Sequence, residues 1–221
     1  MGCFRQQLDY YRARAAEYDQ WWLRQGRYDR GAVLNAQWFA DASVVSSALS
    51  AFYPAGRVLE FACGTGIWTE QLLPFAAHLT ALDGSPEMLA INAARLRSSL
   101  VRYVEADLFQ WQPTEQFVTV FFGFWLSHVP PERFAEFWQL VRSCLAPGGR
   151  VFFVDSRREP TSTAVDVPDR RVQPDVVVTT TVAQFGLLAG SIRLVGTRRL
   201  ALGVVARLGE LARGGLESRF Q

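Results

Sequence analysis

The residues best suited to chemistry lie in one glycine-rich turn, Glu60-Phe-Ala-Cys-Gly-Thr-Gly66, which follows a short apolar run. Its two glycines let the backbone come close to a ligand, and a helix starting after the turn offers unpaired N–H groups. This arrangement is typical of a nucleotide-cofactor turn, although a Gly-x-Gly pair also occurs in plain turns. The dinucleotide fingerprint needs a third glycine at position 69, where this chain has Thr69, so the turn disfavours NAD.

Three further polar residues follow predicted strands, at the sheet edge where open α/β proteins bind their ligands. Asp83 ends the second predicted strand, Asp107 follows the third, and His128 follows the fourth. The imidazole of His128 is able to take a proton from a substrate, or it is a loop histidine bonded to the backbone. The other histidine, His78, is expected at the surface.

Alternating strand and helix patterns position these residues. Helices are predicted after the glycine turn, from Ser85-Pro86-Glu87, and from Pro130-Pro131-Glu132, because serine caps, prolines and acids favour helix starts. A turn is predicted at Pro147-Gly148-Gly149. The alternation predicts a doubly wound, mostly parallel sheet covered on both faces. The predicted strands span residues 57–61, 79–82, 101–105, 117–122 and 151–154.

The N-terminal region is predicted to be helical. An amphipathic helix is expected within residues 1–25, because apolar residues recur at steps of three and four, and a second helix is expected over about 32–51. The stripe of the first helix consists of Leu8, Tyr11, Ala15, Tyr18 and Trp22.

Residues 57–155 resemble the core of the class I S-adenosylmethionine-dependent methyltransferases. The segment Val58–Gly66 resembles the first motif of that family, and Ala81–Met88 resembles the second, with an acid at the end of the strand. Glu105-Ala-Asp107 resembles the third motif, and Leu145–Val151 resembles the turn before the fifth strand. The N-terminal helix resembles the lid of family members that act on small molecules.

This resemblance implies S-adenosylmethionine as the cofactor. Glu60 and the amides of the glycine turn would hold its methionine part, Asp83 the two ribose hydroxyls, and Asp107 the adenine amino group, unless these acids only cap helices or lie at the surface. Aromatic rings, including Trp125, would approach the sulfonium or serve as core. The implied cofactor-binding residues are Tyr11, Tyr18, Glu60, Ala62, Gly64, Gly66, Asp83, Gly84, Met88, Asp107, Leu108 and Phe124.

The resemblance also implies the reaction: in-line transfer of a methyl group to oxygen, nitrogen or carbon of a small-molecule acceptor. Such a transfer depends mainly on positioning, with His128 as the candidate catalytic base. The acceptor pocket is expected over Phe124–Pro130, under the N-terminal helix. A protein or RNA methyltransferase is one alternative, and a decayed relative that binds cofactor without turnover is another.

The last third of the chain has a different composition. Residues 156–221 carry 10 arginines against 6 acids and only two aromatic residues, Phe185 and Phe220. The family would continue here with an aromatic-rich antiparallel strand pair, whereas this chain has Val176–Val182 and then a Gly-, Leu- and Arg-rich stretch. The segment has either diverged or is read in a shifted frame. We expect a single methyltransferase domain over 1–221, with a helical lid at 1–52, a cofactor core at 57–155 and a divergent C-terminal segment.

Composition argues against a nucleic-acid-binding, membrane-spanning, metal-binding or disulfide-bonded protein. The net charge of +2 is too small to predict nucleic-acid binding, and no run is long enough to span a membrane. Cys3, Cys63 and Cys144 have neither metal-ligand nor disulfide spacing, so no metal is expected, and reduced thiols in the cytoplasm are the simplest interpretation.

Overall fold

The structure is a computed structural model, and it describes residues 14–156, 192–196 and 200–205. Its α-helices are α1 Asp19–Trp22, α2 Ala32–Phe52, α3 Ile67–Leu72, α4 Pro86–Leu96 and α5 Phe134–Cys144. Its strands are β1 Gly56–Phe61, β2 Ala76–Asp83, β3 Val101–Glu105, β4 Phe117–Gly123, β5 Leu145–Ser156, β6 Ile192–Gly196 and β7 Leu200–Val205. Short 3-10 turns occupy Ala15–Glu17, Gly26–Tyr28, Leu126–His128 and Pro131–Arg133.

The described strands form one sheet in the order β3-β2-β1-β4-β5-β7-β6. Neighbours among β1 to β5 run parallel, whereas β7 is antiparallel to both β5 and β6. The predicted doubly wound, mostly parallel sheet is therefore confirmed. The chain order reverses at β1, which has β2 on one side and β4 on the other, and a crevice opens at the carboxyl ends of such strands.

The central strands are buried on both faces, which explains their almost continuous apolar sequence. Successive side chains of β4 point to opposite faces. Phe121 stacks on Phe152 of β5 on one face, with ring centroids 6.0 Å apart, and Phe122 stacks on Phe153 on the other, at 5.1 Å. The first pair belongs to the core cluster under α2 and α3, and the second to the cluster under α5. Both faces of the sheet are thus covered by helices, as predicted.

Helix α4 begins where the Ser85-Pro86-Glu87 pattern predicted. The Ser85 hydroxyl accepts a hydrogen bond from the Met88 N–H (3.3 Å), and Pro86 occupies the first helical position. This serine caps the helix and fixes the direction in which the chain leaves β2.

Two predicted boundaries were wrong. Strand β2 begins at Ala76 instead of residue 79, and β5 begins at Leu145 instead of residue 151. The predicted turn at 147–149 lies inside β5 as an irregularity: Phe117 pairs with Leu145 and Thr119 with Arg150, so the two strands advance by unequal numbers of residues. Pairing with β4 thus extends β5 toward its N-terminus, beyond Pro147, Gly148 and Gly149.

The N-terminal region is helical, as predicted, but its described part forms short helices instead of one continuous amphipathic helix. After Arg14 the chain forms a 3-10 turn, the four-residue helix α1 and a second 3-10 turn. The Trp22 carbonyl accepts a hydrogen bond from the indole N–H of Trp38 (3.0 Å), and Arg24 and Gly26 have positive φ. The contact with Trp38 and the two left-handed residues prevent the helix from continuing. The second predicted helix, α2, is confirmed.

Part of the C-terminal segment does form the antiparallel pair that its composition had not predicted. Strand β7 pairs with β5 from Val151↔Val205 to Ser156↔Leu200, and β6 pairs with β7. Val176–Val182 lies outside the described residues. No helix in the described ranges is long and apolar enough to cross a membrane.

Candidate functional site

The glycine turn between β1 and α3 contains three residues with positive φ: Ala62 (51°), Gly64 (53°) and Gly66 (94°). This left-handed backbone costs glycine little and is uncommon for residues with side chains. The Cys63 N–H donates to the Leu82 carbonyl (3.0 Å), which ties the turn to β2. The turn is therefore held at the carboxyl ends of two neighbouring strands.

Asn92 of α4 supports this turn from behind. Its amide donates to the Thr69 hydroxyl (2.8 Å) and the Gly64 carbonyl (3.4 Å), and the Tyr103 hydroxyl donates to its Oδ1 (3.0 Å). A Cβ atom on Gly66 would lie 2.6 Å from Asn92 Oδ1. The second glycine is thus required by a contact with Asn92 as well as by its φ. No motif in the sequence predicted this residue, because its partners come from three other elements.

Asp83 is fixed by backbone donors on both oxygens. Its Oδ2 accepts the Gly64 N–H and its Oδ1 accepts the Ser85 N–H, each at 2.9 Å. Burial raises the pKa of Asp83, while the hydrogen bonds from Gly64, Ser85 and Gly84 act in the opposite direction. Each carboxylate oxygen can accept a second hydrogen bond, so this half-buried side chain still has acceptor capacity toward a ligand.

Glu60 differs from Asp83 although the two are close in space. It is 1% exposed, and burial raises its pKa to about 8, opposed by a hydrogen bond with Thr69. At neutral pH the side chain is therefore mostly a neutral carboxylic acid. Its Oε2 has no hydrogen-bond partner among the described residues.

A cavity of about 790 Å³, partly open to solvent, lies beside the glycine turn. It is lined by Tyr18, Ala62, Gly64, Leu82, Asp83, Gly84, Ser85, Met88, Ala106, Asp107, Leu108, Gly123, Phe124, Trp125 and His128. Nearly all of the predicted site residues are thus brought together. Glu60 and Gly66 are not in the lining, and Tyr11 lies outside the described residues. Sequence reasoning did not assign Leu82, Ser85, Ala106 or Gly123 to the site, although each adjoins a motif residue.

One wall of the cavity, which we call the Asp83 end, is formed by Asp83, Met88, Asp107 and Leu108. Asp107 follows β3 and accepts the Phe109 N–H on Oδ1 (2.9 Å). Its Oδ2 accepts the side-chain amide of Gln110 (3.1 Å). Met88 and Leu108 are buried and give this end an apolar surface between two acids.

The opposite wall, which we call the His128 end, is formed by Phe124, Trp125 and His128 after β4. Phe124 has a φ of 54°, unusual for a bulky residue, and its N–H donates to the Val154 carbonyl of β5 (2.7 Å). Strained backbone of this kind is concentrated at functional sites. It turns the chain so that Trp125 and His128 reach the cavity.

The turn that carries His128 is bound to the end of β5. The Ser127 N–H donates to Asp155 Oδ2 (2.7 Å), and the Ser127 hydroxyl donates to Asp155 Oδ1 (3.1 Å). Asp155 is only 3% exposed. Ser127 belongs to the segment that was expected to form the acceptor pocket, whereas Asp155 was not predicted to belong to the site.

A second, smaller cavity of about 320 Å³ shares Tyr18, Ala62, Gly64, Gly123 and Phe124 with the first. Three indole rings complete much of its wall, those of Trp21, Trp22 and Trp68. Trp21 contacts Phe124 edge-on with ring centroids 4.7 Å apart, and Trp22 contacts Trp68 at 5.2 Å. Aromatic residues of the N-terminal region thus cover the glycine turn.

Asp19 fastens this N-terminal region to the site. Its carboxylate accepts hydrogen bonds from the Thr65 hydroxyl of the glycine turn and from the Arg95 guanidinium of α4. These contacts place the neighbouring Tyr18 over Gly64. They join residues 46 and 76 positions apart, so no local sequence pattern predicted them.

Two residues near the motifs do not line the larger cavity. Cys63 is buried, which raises the pKa of its thiol well above the ordinary range and keeps the sulfur protonated. A thiol that stays protonated is a weak nucleophile. His78 is exposed, as predicted, and lies within β2.

Comparison with known proteins gives a consistent set of relatives. The family described as "Methyltransferase domain" matches residues 58–149. Ubiquinone biosynthesis O-methyltransferase from Xanthomonas euvesicatoria pv. vesicatoria (strain 85-10) is 31% identical over 169 residues, 66% of this chain and 66% of that protein. Trans-aconitate 2-methyltransferase from Sinorhizobium medicae (strain WSM419) is 30% identical over 151 residues, 67% of this chain and 52% of that protein. The chain thus spans just under two thirds of the first relative and about half of the second.

Solved structures match over nearly the full length. The DhpI–SAH complex is 33% identical with a TM-score of 0.73, covering 95% of this chain and 98% of that one. The N-methyltransferase NodS from Bradyrhizobium japonicum WM9, in complex with S-adenosyl-L-homocysteine, is 20% identical with a TM-score of 0.60. The match covers 91% of this chain and 97% of NodS. At that identity the second match speaks for the fold alone.

Proposed function

We propose a function for this chain from one premise: it belongs to the class I S-adenosylmethionine-dependent methyltransferases. The proposed activity is transfer of a methyl group to oxygen, nitrogen or carbon of a small-molecule acceptor. The observation that carries this proposal is the fixed carboxylate of Asp83, held by the Gly64 and Ser85 amides at the cavity wall. The bound cofactor would supply a methyl group already activated on a positive sulfur.

The Asp83 end fits the nucleoside part of this cofactor. The remaining lone pairs of Asp83 would accept the two ribose hydroxyls, since its backbone donors already orient the carboxylate. Asp107 would accept the adenine amino group, with Met88 and Leu108 packing on the ring. These roles rest on the family resemblance together with the position of all four residues in the cavity lining.

The glycine turn and the second cavity fit the methionine part. Amides around Gly64 would donate to its carboxylate. Glu60, buried behind the turn with one unpartnered oxygen, would accept from its ammonium. Tyr18 and Phe124 line both cavities and would place aromatic faces near the positive sulfur.

The His128 end would hold the acceptor. Phe124 and Trp125 would contact its apolar surface, and a ring nitrogen of His128 would take the proton that the acceptor loses. We favour a small molecule over a protein or RNA because the relatives are named for ubiquinone biosynthesis and trans-aconitate. Tyr18 of the N-terminal region also lines this cavity, which would limit access of a large acceptor.

The domain boundaries and the compartment are part of the proposal. We propose one methyltransferase domain with an N-terminal lid at 1–52, a cofactor core at 57–155 and a C-terminal segment that completes the sheet. We propose the cytoplasm as its compartment, because Cys63 and Cys144 are buried free thiols.

Calorimetry with S-adenosylhomocysteine and with NAD tests the cofactor assignment on the purified chain. We expect binding of the first at micromolar levels, and Asp83→Ala should weaken it by about 1–3 kcal/mol because a ligand hydroxyl loses a charged acceptor. An unchanged affinity would remove Asp83 from the site, and tighter binding of NAD would refute the assignment. A panel of quinones, phenols and amines with labelled S-adenosylmethionine then tests methyl transfer.

A further inference from the structure

The end of β5 carries a buried carboxylate that the proposed function does not use. Asp155 is 3% exposed, directly after Val154. Removing a carboxylate from water costs free energy unless hydrogen bonds compensate. Such a side chain at the carboxyl end of a parallel strand lies where the ligands of this fold bind.

Both oxygens of Asp155 bind the same residue, Ser127, through its N–H (2.7 Å) and its hydroxyl (3.1 Å). Ser127 is the middle residue of the 3-10 turn Leu126–His128. Leu126 on one side is buried in the core, and His128 on the other lines the cavity. The carboxylate therefore fixes the turn at its centre, one residue from the imidazole.

The turn has two other fixed points. The Phe124 N–H donates to the Val154 carbonyl (2.7 Å), and the His128 N–H donates to the Trp125 carbonyl (2.9 Å). Two consecutive residues of β5, Val154 and Asp155, thus hold the whole segment from Phe124 to His128. Strand β7 holds this end of β5 from its other side, through the pairs Val154↔Leu202 and Asp155↔Ala201.

We propose that Asp155 is a positioning residue of the acceptor site, which aligns His128 and Trp125 by accepting two hydrogen bonds from Ser127. This inference rests on the proposed function, because it concerns the end of the cavity where the acceptor would bind. Asp155 acts through the turn and does not touch the reacting atoms. Its loss should therefore affect turnover and leave binding at the Asp83 end unchanged.

The two histidines of the chain provide a direct measurement of this alignment. In full-length protein with ¹³C-labelled histidine, saturated with S-adenosylhomocysteine, the ring signals of His78 and His128 are assigned with His128→Ala. In Asp155→Asn, which keeps the shape of the side chain, the His128 signal should shift or broaden while the His78 signal stays. Ser127→Ala should shift it less, because its backbone N–H still binds Asp155.

Kinetics should follow the same order. With any acceptor found in the panel, kcat should fall by about 10-fold or more in Asp155→Asn and less in Ser127→Ala, because misplacement of a reacting group lowers the rate. The affinity for S-adenosylhomocysteine should not change. Ser143→Ala, which removes an exposed hydroxyl from α5, is the matched control and should match the parent protein in every readout.

An unshifted His128 signal in a folded Asp155→Asn protein would overturn the inference, and so would a loss of S-adenosylhomocysteine affinity equal to the loss of turnover. Should Asp155→Asn not fold, an unchanged His128 signal in Ser127→Ala overturns it instead. Absence of methyl transfer by the parent protein would count against the proposed function. The histidine signals would still decide whether Asp155 aligns the turn.

Discussion

The Asp83 end and the His128 end of the cavity differ in the groups that form and orient their walls. At the Asp83 end, backbone amides orient the carboxylates, and one of them comes from Gly64 in the adjoining glycine turn. At the His128 end, aromatic side chains and one imidazole form the wall, and the buried carboxylate of Asp155 holds the turn that carries His128. A geometry made by the backbone restricts which residues are allowed, whereas a surface made by side chains can change with little effect on the fold. This difference agrees with the proposed roles. The Asp83 end would bind the cofactor that the whole family shares, and the His128 end would bind an acceptor particular to this protein.

The largest expected effect separates the two ends by function. His128→Ala should lower turnover by about 10²-fold if the imidazole takes the acceptor proton, with no change in S-adenosylhomocysteine affinity. Rates measured from pH 6 to 9 on the variant and its parent check this. His78→Ala, which changes an exposed histidine outside the cavity, is the control. Equal rates at every pH would leave His128 a structural residue of the loop.

The next prediction concerns the glycine turn that adjoins the Asp83 end. Gly66→Ala forces a side chain into a backbone with a φ of 94° and places a Cβ 2.6 Å from Asn92 Oδ1. We expect S-adenosylhomocysteine affinity to fall by about 10-fold or more, since such strain costs about 1–3 kcal/mol. Gly148→Ala imposes a similar strain at a φ of 72° where nothing lies within 4 Å of the Cβ. Equal affinities of the two variants would contradict the role assigned to Asn92.

The raised pKa of Glu60 gives a prediction about how stability depends on pH. Its pKa is raised to about 8 in the folded chain from an ordinary value of 4.5, so folding takes up a proton between these values. The folded state therefore loses stability as pH rises from about 4.5 to 8, by at most about 1.4 kcal/mol per pH unit. Without ligand, Glu60→Gln should have a higher Tm than the parent at pH 8 and the same Tm at pH 4.5. The exposed Glu70→Gln is the control, and a pH-independent difference would refute this protonation state.

The smallest expected effect lies at the contact that joins the N-terminal region to the site. Asp19→Asn should weaken S-adenosylhomocysteine binding by about 2–5-fold, because a partly exposed ion pair contributes about 1 kcal/mol or less. The control is Glu17→Gln, two residues before Asp19, which breaks an ion pair with Arg14. Calorimetry that finds Asp19→Asn no different from this control would show that Tyr18 is placed by packing alone.

The sequence predicted those parts of the site that depend on local conformation. The glycine turn, the capped start of α4 and the acids after β2 and β3 each leave a short pattern, since backbone geometry there admits few residue types. Asn92, Asp19 and Asp155 left no such pattern. Each binds a residue that is distant in the sequence, and the local backbone at its own position admits many residue types. The break of the N-terminal region into short helices also left no local pattern, since the indole of Trp38 takes a carbonyl that a longer helix would use.

The late position of β7 in the chain has a consequence for synthesis. The apolar strand β5 is complete at residue 156, but the strand that covers its edge begins at residue 200. Once β5 has left the ribosome and until β7 pairs with it, β5 would be an edge strand, and its Val-Phe-Phe-Val run would offer unpaired N–H and C=O groups to other chains. Pairing of β7 with β5 therefore protects the nascent chain from aggregation as well as completing the sheet.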